Sequence, residues 1–228
     1  MKLASGLLLT AMEELLAARA REAATWLAAV AAADSVEAFK AVFVGASRHV
    51  GRGALALTPE DVGHLRGVGL TWPVARWAVD DLARATLFLR AGDVLTPSAY
   101  ITLVHECYRD GDARHRQAVL RALPLLSQRE RFLAIAIDAA RAGIPPLFEA
   151  IACENPYPSA HFPALNFNQM VLQAIIYGVS LDRVVGLATR VTPELVRVAN
   201  EYAAERRANG RLVSADLDYI TRAASAAA

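Results

Sequence analysis

Lysine is nearly missing from this chain. Lys2 and Lys40 are the only two, and every other basic side chain apart from histidine is arginine. Arginine favours bidentate pairing with carboxylates, although a GC-rich genome produces the same bias. An excess of one charge is missing too: 24 basic residues face 23 acidic ones, for a net charge of +1. Nucleic acid and anionic membranes are held by clustered positive charge, so neither is an expected partner. Cysteine is scarce. Cys107 and Cys153 match neither a disulfide scaffold nor a CxxC motif. Both read as small core residues on helices, and reduced thiols point to the cytoplasm. No run of about 20 uncharged apolar residues occurs, so no transmembrane helix is expected. Leu7, Leu8 and Leu9 resemble the start of a signal-peptide core, but Glu13 and Glu14 interrupt it. The segment reads better as an amphipathic helix running to Val30.

Catalytic signatures are absent as well. There is no GxSxG, no P-loop and no strand ahead of Gly63, Gly67 and Gly69, which read as a loop or helix end. Glu149, Cys153, Glu154 and His161 are ligand types without ligand spacing, as are His105 and Glu106. No metal, cofactor or catalytic residue is therefore assigned.

The chain is instead rich in helix grammar. Its hydrophobic fraction is 55%, against the usual ~45–50%, and much of the excess is alanine, which loses no side-chain entropy in a helix. Thr58-Pro59, Thr96-Pro97 and Thr192-Pro193 each combine an N-cap with a proline whose missing N–H costs nothing in the first turn. Asp34 with Glu37 and Ser127 with Glu130 read as capping boxes. Gly92, Gly111, Gly143, Gly178 and Gly210 stand where helices are expected to stop. From Pro73 to Arg90 the pattern is helical, with Arg76, Asp80 and Arg84 on a solvated stripe. Short helices follow over 113–126, 128–142, 145–154 and 168–177. The reading is all-α: an irregular array of antiparallel helical hairpins, HEAT-like or a bundle, forming one domain over 1–228. Residues 223–228 are an alanine-rich tail.

The segments 131–142, 145–153 and 168–177 are apolar on nearly every side and read as central. Their polar exceptions are the candidate ligand- or partner-binding residues, because an unpaired buried charge costs several kcal/mol or more. They are Asp138, which Arg131 and Arg141 flank at helical spacing, Glu149, and Gln169 with Gln173 one turn on. Between these helices lies Glu154-Asn155-Pro156-Tyr157-Pro158-Ser159-Ala160-His161-Phe162-Pro163. Its three prolines predict an extended or turned, rigid loop without helix. Tyr157 and Phe162 pin it to the core, and Asn166–Gln169 read as a capped helix start. Glu149, Glu154, Asn155, Asn168 and Gln169 are expected to face one space, with Tyr157 beside it and His161 at its edge. Internal hydrogen bonding of the loop is the alternative.

The stretch Leu147–Pro158, the blocks His161-Phe162-Pro163 and Asn166–Ala174, and the tail elements Gly186-Leu187, Pro193-Glu194-Leu195 and Tyr202–Arg207 resemble the EboA family. The resemblance spans about residues 114–211, so 111–211 is the characteristic half and 1–110 the less distinctive one. It implies a protein encoded beside a membrane prenyltransferase-like member and several enzyme-like members. That cluster is linked to moving bacterial secondary metabolites or their precursors across the inner membrane towards the periplasm. No catalytic residues carry over. The expectation is a cytoplasmic, non-enzymatic binding or scaffold protein. Its partners would be a small metabolite or proteins of the same cluster, with peripheral association with membrane proteins. The alternatives are an enzyme using Asp138, Glu149 or Glu154 as acid or base, and a purely structural interaction module. A cavity of ~300–1,000 Å³ beside the proline-rich loop would favour a small ligand.

Overall fold

A computed structural model describes residues 5–213 together with Leu217 and Ile220. The alanine-rich tail lies outside the described residues. Among the described residues the backbone is all-α, with twelve α-helices, short 3-10 turns and no strand beyond one antiparallel bridge between Ala54 and Ala78. The chain divides into two compact units, Met1–Ala134 and Ile135–Ala228.

The first unit contains α1 (Ser5–Arg19), α2 (Ala23–Ala32), α3 (Val36–Val50), α4 (Pro59–Gly67), α5 (Val79–Val94), α6 (Pro97–Arg109) and α7 (Ala113–Ala122). Helix α5 is central, with α1, α3 and α7 packed around it. The Thr-Pro starts form as the sequence predicts: Thr58 accepts a hydrogen bond from the Asp61 N–H, and Thr96 from the Ala99 N–H. Five expectations are corrected in this unit. The N-terminal helix breaks after Arg19, so that α1 packs on α5 while α2 packs on α3. Ser35, not Asp34, caps α3, accepting from the Ala38 N–H at 3.3 Å. Ser127 caps nothing. Gln128 takes a left-handed conformation (φ 56°) ahead of the 3-10 turn Arg129–Phe132, and the Ser127 side chain instead bonds Tyr100.

The fourth correction is the largest. The helix expected from Pro73 begins only at Val79, where the Asp81 carboxylate accepts the Ala78 N–H at 2.8 Å. Its Asp80–Arg84 stripe is not solvated: both residues are fully buried, because helices surround α5. Gly92 does not end α5 but lies within it. A Cβ there would stand 3.4 Å from Ser127 Oγ and 3.5 Å from the Tyr100 ring, in ordinary van der Waals contact.

The second unit contains α8 (Leu133–Arg141), cut near its start by the boundary, then α9 (Pro145–Ala152), α10 (Tyr157–His161), α11 (Ala164–Ile176) and α12 (Pro193–Ala208). Gly143 and Gly178 end α8 and α11 with φ of 68° and 69°, the left-handed conformation that glycine adopts without strain. Helix α10 corrects the expectation of a helix-free loop. Pro156 is its N-cap and Pro158 lies in its first turn, where no N–H partner is needed. The Asn166–Gln169 stretch is no helix start, since α11 already begins at Ala164. Phe148, Phe167, Met170 and Val171 are buried as expected. However, α11 is not wrapped on all sides: Leu165 and Ile176 are 65% and 57% exposed.

Candidate functional site

The end of α9 is tied down by charge. Glu154 sits in the left-handed region at φ 49°, which costs a non-glycine residue roughly 1–2 kcal/mol. Its N–H donates to the Arg183 carbonyl at 2.8 Å. Its two carboxylate oxygens accept from Arg183 Nε at 2.7 Å and Nη2 at 3.1 Å, while Arg183 Nη1 donates to Glu149 Oε2 at 3.0 Å. The bond from Glu154, joined by that from Glu149, raises the already high Arg183 pKa further, so this guanidinium stays charged. Asn155, buried, closes the next turn. Its Oδ1 accepts the Tyr157 N–H and its Nδ2 donates to the Ala150 carbonyl, both at 3.0 Å. Tyr157 is buried with its ring 4.6 Å from that of His161. Arg190 then fastens the segment from outside the loop, donating to the Ser159 carbonyl at 2.6 Å and the Phe162 carbonyl at 2.7 Å. Sequence reasoning missed Arg183 and Arg190, since partners 28–34 residues away leave no local spacing signal.

The expected site residues therefore separate. Glu149 and Glu154 meet on Arg183, and Asn155, Tyr157 and His161 share the α10 turn. Asn168 is buried and donates from Nδ2 to Thr192 Oγ1 at 3.1 Å, which ties α11 to the cap of α12. Its Oδ1 has no partner. Asp138 is exposed and forms no ion pair with Arg131 or Arg141 among the described residues, so the reading of a buried charge in α8 is corrected.

Gln169 and Gln173 lie elsewhere, on an open cleft of about 520 Å³ between α8 and α11. Ile137, Ala140, Phe162, Met170, Leu172 and Ile176 make its apolar lining. Arg141, Asn166, Gln169 and Gln173 supply its polar groups. Arg141 Nη2 donates to Gln169 Oε1 at 2.6 Å. Phe162, the last residue of the α10 segment, is held there by the Arg190 bond.

A second polar cluster, unforeseen from the sequence, fills the first unit. Asp80 accepts from Arg84 Nη1 at 2.6 Å and from Arg114 Nη2 at 2.8 Å, and Arg84 Nε donates to the Phe43 carbonyl at 3.2 Å. Asp81 pairs with Arg121. Burial pushes the Asp81 carboxyl above its ordinary value, against the pull of Arg121. One clue was present. The Arg76–Asp80–Arg84 stripe continues into Leu87 and Ala91, which a solvated face does not do. No group of three or more His, Cys, Asp or Glu side chains among the described residues is arranged to hold a metal. No helix among them is long and apolar enough to cross a membrane.

Fold and site together define an all-α protein whose second unit carries a cleft lined by apolar and polar side chains. A family model described as metabolite traffic protein EboA matches residues 8–221, and the chain belongs to that family. The match extends the resemblance seen in the C-terminal half across nearly all of the N-terminal half. No curated protein and no solved structure matches the chain.

Proposed function

We propose that the protein is a non-enzymatic carrier or scaffold in a bacterial secondary-metabolite traffic pathway. In this reading it holds a small metabolite or precursor in the α8/α11 cleft on the cytoplasmic side, ahead of export to the periplasm. The observation that carries the reading is the cleft itself. Its volume of about 520 Å³ falls within the range of small-molecule sites, ~300–1,000 Å³. Six of its ten lining residues are apolar, and Arg141, Asn166, Gln169 and Gln173 add polar groups. The carboxylates of the rival acid–base reading support it less well. Glu149 and Glu154 are engaged by Arg183, and Asp138 lies on open surface. The exposed Leu165 and Ile176 on α11 favour a second reading, in which a protein of the same pathway docks beside the cleft.

Native mass spectrometry of the protein purified from its host tests the proposal. The wild type is expected to carry a small-molecule adduct. Gln173→Trp, which fills the cleft from a half-exposed position, is expected to lose the adduct with its melting temperature unchanged. An adduct retained in that variant, or none in the wild type, would sink the small-ligand reading.

A further inference from the structure

The polar groups of the cleft bear on the ligand's charge, an inference that rests on the proposed small-ligand function. Arg141 is the only charged residue lining the cleft, and among the described residues no carboxylate lies within ion-pairing distance of it. Asp138, one turn earlier on the same helix, is not part of the lining. The buried or half-buried arginines of the two polar clusters differ in this respect: Arg84, Arg121 and Arg183 each have an acidic partner. The one bond Arg141 makes to a side chain sharpens the point. Gln169 turns its carbonyl oxygen to Nη2, which leaves the pair with the other guanidinium N–H groups and the Gln169 amide NH₂ as donors and a single lone pair as acceptor. A group that mainly donates, carries a positive charge and stands beside an apolar wall is complementary to an anion attached to an apolar body.

We infer that the cleft takes an amphipathic anion, its carboxylate or phosphate on Arg141 and Gln169 and its apolar body along Ile137, Leu172 and Ile176. The fork geometry of Arg141 donates to two oxygens at once, which a neutral alcohol or an ammonium group does not offer.

Calorimetric titration of the full chain with decanoate, decyl phosphate, decanol and decyltrimethylammonium tests this, each probe below its micelle concentration. Decanoate and decyl phosphate are expected to bind about tenfold or more tightly than decanol, the worth of a charge-assisted bidentate contact. The cation is expected to bind weakest. Arg141→Gln, at an exposed position, is expected to fold normally by circular dichroism and to bring the anions down to the affinity of decanol. A parallel sedimentation arm with phosphatidylglycerol-containing and pure phosphatidylcholine vesicles identifies the source of the anion. Capture that needs both the anionic lipid and Arg141 assigns the contact to a lipid headgroup, and binding of the decyl anions without such capture assigns it to a free molecule. Equal affinity for decanol and decanoate, or a preference that survives Arg141→Gln, overturns the anion assignment while leaving a small-ligand cleft intact. If no probe binds but the native adduct still disappears in Gln173→Trp, the ligand class is wrong and the carrier reading stands. If both fail, both readings fall.

Discussion

Glu154 shows how a single residue is committed to its place. A glycine would adopt its left-handed backbone without strain, yet a glutamate stands there and gives both carboxylate oxygens to Arg183. We propose that its role is to hold the α10 segment, and hence Phe162, against the unit. Glu154→Gln is then expected to destabilise by about 1–3 kcal/mol, the range for hydrogen bonds to charged groups. Glu149→Gln, nearly half exposed at 43%, is expected to cost no more than ~0.5 kcal/mol. Urea melts of both variants measure this, and equal small losses would remove the structural role. Cys107 makes a different test. Burial pushes its thiol up to about 12 from 9.0. Because the folded value lies above the unfolded one, the stability this group contributes is complete below pH 9.0 and is lost as pH rises towards the folded value. Each pH unit in that window costs about 1.4 kcal/mol. The stability gap between wild type and Cys107→Ala is therefore expected to narrow by about 1 kcal/mol between pH 9 and 10, where the unfolded thiol goes from half to nearly fully ionised. A constant gap would show that the thiol ionises freely.

At the scale of elements, the Thr-Pro helix starts were legible and helix surroundings were not. Thr58, Thr96 and Thr192 cap their helices because a cap involves only residues three or four apart. The sides of α5 depend on what packs against them, and its polar stripe looked solvated because Asp80 and Arg84 are ideally spaced for a surface pair. Their actual state carries a sharper prediction. Both side chains are 1% exposed, so Asp80→Ala strands the Arg84 guanidinium in the core and is expected to cost about 3–5 kcal/mol. The double variant Asp80→Leu/Arg84→Met removes both charges and is expected to recover most of that loss, as measured by denaturant midpoints. A single variant costing under ~1 kcal/mol would mean that water reaches the pair. In the second unit α8 and α11 misled in the opposite sense. Their apolar sequences suggested burial on every side, whereas one flank of each borders the open cleft.

For the molecule as a whole, a far-UV spectrum with paired minima near 208 and 222 nm is expected from the helical backbone. The three tryptophans, Trp26, Trp72 and Trp77, all lie in the first unit. Tryptophan fluorescence therefore follows that unit alone, while circular dichroism follows both. The single-domain proposal requires the two probes to give one coincident denaturation transition. A second dichroic step silent in fluorescence would divide the chain into two domains. The all-α class, the helix starts and the core residues Phe148 and Met170 could be read from the chain because they rest on periodicity and on contacts within one turn. The family could be read from the blocks around Asn155 and Asn168 because those blocks are continuous in sequence. The pairing of Glu149 and Glu154 with Arg183, the burial of Asp80 and Arg84, the exposure of Asp138 and the meeting of Arg141 with Gln169 across the cleft could not. Each depends on groups brought together from distant parts of the chain or on which flank of a helix its neighbours leave open, and a charge's environment is set by that packing rather than by its own sequence neighbours.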